Sequence, residues 1–102
     1  MKTRHLIAAF CLIVAIAANS QNPNIQIGTS ANWPNEPSIC MNPANPDQII
    51  IGAVPDNEYI STDGGYTWQH EVLNSPYGVN GDPVVLADST GKFYYFHLVQ
   101  DL

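Results

Sequence analysis

The stretch Ser61-Thr62-Asp63-Gly64-Gly65-Tyr66-Thr67-Trp68 decides how the rest of the chain is folded. Asp63-Gly64-Gly65 predicts a tight turn, because glycine enters the positive-φ region that such turns require without steric cost. Ser61, Asp63 and Thr67 carry short polar side chains that bond nearby backbone N–H groups and close a loop on itself. Trp68 stands where the next strand is expected to start, and its ring needs a dry surface. The stretch is a hairpin, and a hairpin needs a strand on each side.

Both flanks supply one. Glu58–Ser61 leads into the turn and Thr67–Val72 leads out. Upstream, Gln48–Val54 contains Ile49-Ile50-Ile51, a β-branched run suited to a strand buried on both faces. Pro55-Asp56-Asn57 turns the chain between them. Glu36-Pro37-Ser38-Ile39-Cys40-Met41 is another short strand, followed by the turn Asn42-Pro43-Ala44-Asn45-Pro46-Asp47. Four strands joined by tight turns make one antiparallel meander over residues 36–80. Residues 21–35 have a loop composition, in which Ile25-Gln26-Ile27 alternates as a short strand would. Trp33-Pro34 suits a packed loop or, less commonly, a flat platform for a sugar ring.

The pattern then starts again. Asp82-Pro83-Val84-Val85-Leu86-Ala87 mirrors residues 36–41 at an offset of 46. Asp88-Ser89-Thr90-Gly91 replaces the Asn/Pro turn, and Phe93–Leu98 replaces the isoleucine strand. A spacing of roughly 40–50 residues between like units is that of repeat architectures.

The 61–68 stretch matches Ser-x-Asp-x-Gly-x-Thr-Trp at every fixed position: Ser61, Asp63, Gly65, Thr67 and Trp68. In this it resembles the Asp-box, or BNR repeat, of sialidase-like β-propellers. The resemblance implies an all-β, partial propeller of sialidase type. About one and a half four-stranded antiparallel blades would be present, against the roughly 4–8 that close such a ring. Residues 36–80 would be the first blade, with the Asp-box on the hairpin between its third and fourth strands. Residues 81–102 would start a second, truncated blade. Residues 21–35 would be a loop or a clasp, with Ile25–Gly28 adding a strand to the last blade. The chain is then expected to be an N-terminal piece of a longer protein, or a truncated reading frame.

The start of the chain speaks for export. Met1-Lys2-Thr3-Arg4-His5 is basic and Leu6–Ala18 is apolar, short for a membrane span and right for a signal peptide over residues 1–20. Cleavage is expected before Gln21, or alternatively before Ala18. The mature part keeps Lys92 as its one basic residue against nine acidic ones, a net charge of −8. That surface repels phosphate backbones and anionic lipids, so neither nucleic acid nor, after cleavage, a membrane is an expected partner. The expected location is secreted, or at the cell surface or periplasm, with glycans or cell-surface proteins as partners. Cys40 is the sole cysteine of the mature part, so no disulfide is expected within it, and it suits the role of a small buried hydrophobe.

For chemistry, the resemblance implies a glycosyl hydrolase parent with its site on the propeller axis, where innermost strands begin. Glu36 and Asp82 are the carboxylates best placed to face it. The same two residues, each before a proline, also suit the capping of a turn. A sialidase clamps its substrate carboxylate with three arginines, since paired guanidinium N–H groups fix it in place. In sialidases the first lies in an Arg-Ile-Pro motif. Asn35-Glu36-Pro37 stands there instead, and Arg4 is the only arginine of the chain. The chain itself is therefore expected to be inactive, whether or not the parent is an enzyme. The alternative is a non-catalytic carbohydrate- or protein-binding propeller. No cofactor is implied; oxygen donors such as those of Asp82 and Asp88 would suit calcium. His70 and His97 are expected to be ordinary strand residues.

Overall fold

The computed structural model describes residues 24–99. The expected signal peptide, residues 1–20, lies outside them. The described residues are all-β apart from a 3-10 turn at Ser30–Asn32. Strands β1 (Asn35–Met41), β2 (Ile49–Val54), β3 (Asn57–Ser61) and β4 (Gln69–Val72) form one antiparallel sheet in the order β1-β2-β3-β4. Strands β5 (Val84–Ala87) and β6 (Phe93–Phe96) form a second antiparallel pair.

The sheet follows the sequence pattern closely, with informative exceptions. Thr67 and Trp68 do not begin β4; their backbone and side chains are taken up by the 61–68 loop. Ile25-Gln26-Ile27 forms no strand, because no ladder lies beside it, and Ile27 packs its side chain on the buried cluster instead. Trp33, expected to pack, is 80 % exposed.

The register sorts the first sheet into two faces. Ile39, Ile51, Tyr59 and His70 are successive cross-strand partners and share one face. Here Ile51, Ala53 and Tyr59 form the buried cluster, and the His70 ring lies 4.9 Å from that of Tyr59. Ser38, Cys40, Ile50 and Gly52 share the other face, which carries the second sheet. Val85 N–H donates to the Ser38 hydroxyl at 3.0 Å. Tyr95 lies so close over Gly52 that a Cβ there would meet its ring at 2.7 Å, so this position accepts no side chain.

Asn57 ties these parts together. It is 1 % exposed, although the Pro55-Asp56-Asn57 segment looks like an open turn. Its Nδ2 donates to the carbonyls of Val54 (3.0 Å) and Asn32 (3.1 Å). Its Oδ1 is 2.9 Å from His70 Nε2, which must therefore carry the proton. Its own carbonyl accepts from the Tyr95 hydroxyl at 3.3 Å. A buried amide is tolerable only when it is this fully bonded.

The two units repeat in register as well as in sequence. In β1, Asn35 pairs with Val54 and Ser38 with Gly52, so one extra residue bulges around Glu36-Pro37. In the second unit Val84 pairs with Phe96, while Leu98 N–H donates to the Gly81 carbonyl. The same one-residue surplus falls at Asp82-Pro83. Both hairpin tips are closed by an Asx side chain at matching positions. Asn42 Oδ1 accepts from Ala44 and Asn45 N–H, and Asp88 Oδ1 accepts from Thr90 and Lys92 N–H.

Candidate functional site

The five residues singled out in the 61–68 loop are bonded to one another. Ser61 Oγ donates to Asp63 Oδ1 (2.9 Å) and accepts from Gly65 N–H (2.9 Å). Asp63 accepts from Thr67 twice, at Oδ1 from the N–H (2.9 Å) and at Oδ2 from the hydroxyl (2.6 Å). Trp68 Nε1–H donates to the Gly65 carbonyl at 2.9 Å. Gly64 and Gly65 hold φ of 74° and 92°, the left-handed region that glycine enters freely. The Thr67 hydroxyl, helped by Thr67 N–H, Ser61 and Tyr66, holds the Asp63 carboxyl at about 2, well below its ordinary value. The side chains of Ser61, Asp63, Thr67 and Trp68 are all engaged within the loop itself.

Glu36 and Asp82 sit in the two equivalent bulges. Both are exposed, and both adopt a left-handed backbone, at φ of 48° and 47°. That conformation costs a non-glycine residue about 1–3 kcal/mol. The two corners lie at the same end of the molecule. β1 packs against β5, and Gly81, beside Asp82, is seated on Val54, the partner of Asn35. Asp82 and Asp88, in contrast, lie at opposite ends of β5, and Asp88 is occupied by Thr90, Lys92 and Tyr94. They do not form a common cation site, and no cluster of metal-ligating side chains occurs among the described residues. Chiefly through Thr90, the carboxyl of Asp88 is also held down at about 2.

Sequence reasoning passed over the groove that Asn35 and Pro37 line. A cavity of about 230 Å³ runs between Ile27, Gly28, Pro34, Pro37, Ile51 and Tyr59. It shares Gly28, Pro34 and Asn35 with a shallower cleft of about 410 Å³ under Trp33. The Tyr59 hydroxyl is buried and finds no hydrogen-bond partner among the described residues. Leaving a donor so costs about 1–3 kcal/mol. Asn35 Nδ2 donates to the Trp33 carbonyl at 3.0 Å, which turns that amide along the cleft. Trp33 is held outward by a left-handed backbone, φ 48°, at the end of the 3-10 turn. The groove thus offers a bare indole face and the Asn35 amide. Only the Trp33-Pro34 pair signalled it in the sequence.

Cys40 is half-buried and forms no disulfide among the described residues. His70 is exposed on β4, bonded to Asn57 and tilted at 33° against the Tyr59 ring. His97 bonds the neighbouring Leu98 carbonyl at 2.8 Å. No family model, curated protein or solved structure matches this chain.

Proposed function

We propose that this chain is the N-terminal portion of an exported, sialidase-like (BNR/Asp-box) propeller protein, itself without hydrolytic activity. The parent is a glycosyl hydrolase by resemblance. The observation that carries this reading is the closed 61–68 loop on the β3–β4 hairpin of a four-stranded meander. The repeated bulge in the second unit supports it. Residues 21–102 lack the arginines that would clamp an anionic sugar, so the chain contributes scaffold and, at Glu36 and Asp82, carboxylates near the axis of a complete ring.

The exposed indole of Trp33 favours a second reading, a propeller that binds carbohydrate at the cell surface without cleaving it. The apolar face of a pyranose ring covers an indole well, and Asn35 supplies a polar partner for its hydroxyls. Two measurements test these readings. The chain is expected to release nothing from a fluorogenic sialoside; turnover by this chain overturns the claim of inactivity. Titration with neutral and sialylated oligosaccharides, followed by tryptophan fluorescence, tests the groove. Trp33→Ala is expected to weaken binding roughly fivefold or more, the loss of about 1 kcal/mol of stacking. Binding unaffected by Trp33→Ala refutes the groove as the site.

A further inference from the structure

Among the described residues, the second unit buries only one of its faces. Val85 and Tyr95 are cross-strand partners on the side that meets the first unit. The opposite side carries the pairs Val84–Phe96 and Leu86–Tyr94. These four are 48, 55, 53 and 41 % exposed, respectively, and none is charged. A contiguous apolar face of this kind marks an interface.

The internal repeat identifies what fits it. Val84 and Leu86 occupy, at the offset of 46, the positions of Ser38 and Cys40. Tyr94 and Phe96 occupy, at an offset of 44, those of Ile50 and Gly52. In the first unit that face is where the second unit is seated. Val85 and Ala87, on the seating side, correspond to Ile39 and Met41 of β1. Ile39 and Met41 are 63 and 54 % exposed. Among the described residues, the second unit therefore presents an open receiving face and the first an open seating face.

We propose that this chain on its own, whose receiving face the next unit of a complete ring would otherwise cover, binds a second copy that seats its Ile39–Met41 face on Val84, Leu86, Tyr94 and Phe96. This repeats between molecules the contact that β5 makes on β1 and β2 within one. The two patches differ, so the contact is head-to-tail and propagates beyond a dimer unless a ring closes. Ile27 already covers the Ile51–Ala53–Tyr59 part of the seating face, which confines the incoming copy to β1. Val84 stands where Ser38 would supply its hydroxyl, so the contact between copies is apolar. Like net charge opposes it, and added salt strengthens it by screening.

Sedimentation velocity on the full chain tests the proposal, with Phe96→Asp blocking the receiving face and Ile39→Asp the seating face. Leu86→Asp replaces Phe96→Asp if the latter loses the strand signal in circular dichroism. The wild-type chain is expected to associate past the dimer as concentration rises. Each variant alone is expected to stay monomeric, with self-association weakened at least tenfold. An equimolar mixture of the two is expected to form a dimer that does not grow, because each supplies the face the other lacks. A wild-type chain that is monomeric throughout, or a mixture that stays monomeric, overturns the proposal. So does association that either variant leaves unchanged.

Discussion

Replacing Asn57 by alanine tests whether one buried amide holds the first unit together. The substitution removes two donated bonds, to the Val54 and Asn32 carbonyls, and the acceptor of His70 Nε2. Each such bond has a net worth of about 1 kcal/mol, and a group left buried without a partner costs more. Val54 and Asn32 are half-buried, so water recovers part of the loss. The expected cost is about 2–4 kcal/mol, a large share of the roughly 5–15 kcal/mol that stabilises a domain. The bond from the Tyr95 hydroxyl goes to the Asn57 backbone, so the seating of the second unit is retained as an internal control. Urea unfolding followed through half-buried Trp68 reads the change as a shifted midpoint at constant slope. Asn57→Asp sharpens the test. It keeps the shape and the acceptor for His70 but turns a carboxylate oxygen on two carbonyls. It is expected to cost at least as much as alanine at neutral pH and to recover in acid, as the carboxyl takes up a proton. A loss below about 1 kcal/mol for alanine, or an aspartate variant as stable as the wild type, refutes the reasoning.

Acid should act on the two loops closed by aspartate. Asp63 and Asp88 are both held at about 2, so the stability they contribute is complete above their ordinary pKa and is lost as pH falls towards 2. Asp63→Asn is expected to flatten that acid limb in urea midpoints; an unchanged slope contradicts the loop's role. Glu58 behaves oppositely. Burial and then the charge of Glu71, its partner in register, raise its pKa, so its ionisation costs stability as pH rises from the ordinary glutamate value through the raised one. Glu71→Gln is expected to stabilise the chain by about 0.2–1 kcal/mol at pH 7, as the removal of like charges across a strand pair should. A lower urea midpoint would contradict it.

The strands were legible because their signals are local. The Ile49-Ile50-Ile51 run, the alternation around Tyr59 and the turn residues of 61–68 each act within a few positions of the chain. The loop was legible residue by residue for the same reason: its side-chain bonds all run within eight residues, and only the Gly64 N–H reaches further, to the Asp47 carbonyl. What stayed hidden depends on partners far along the chain. Asn57 looks like a turn residue until Asn32, 25 positions away, and Tyr95, 38 positions away, are brought to it. Ile25 and Ile27 alternate as a strand does, yet no ladder is offered to them, so only Ile27 finds a use. Glu36 and Asp82 were visible as carboxylates before prolines. Their left-handed backbone was not, since neither is a glycine. The Trp33 groove depends on residues from 27 to 59 and had only one aromatic to announce it.

The two hairpin tips reach the same closure with different lengths of chain. Asn42 N–H bonds the Gln48 carbonyl and Asp88 N–H bonds the Lys92 carbonyl, so the second tip is two residues shorter. That is why the offset falls from 46 to 44 between the inner strand and its neighbour. Gains and losses of residues are absorbed at the outer end of each hairpin, leaving ladder and bulge undisturbed. Such a tip is a natural place to graft an epitope or a reporter peptide, since an Asx side chain at its base anchors whatever is spliced beyond it.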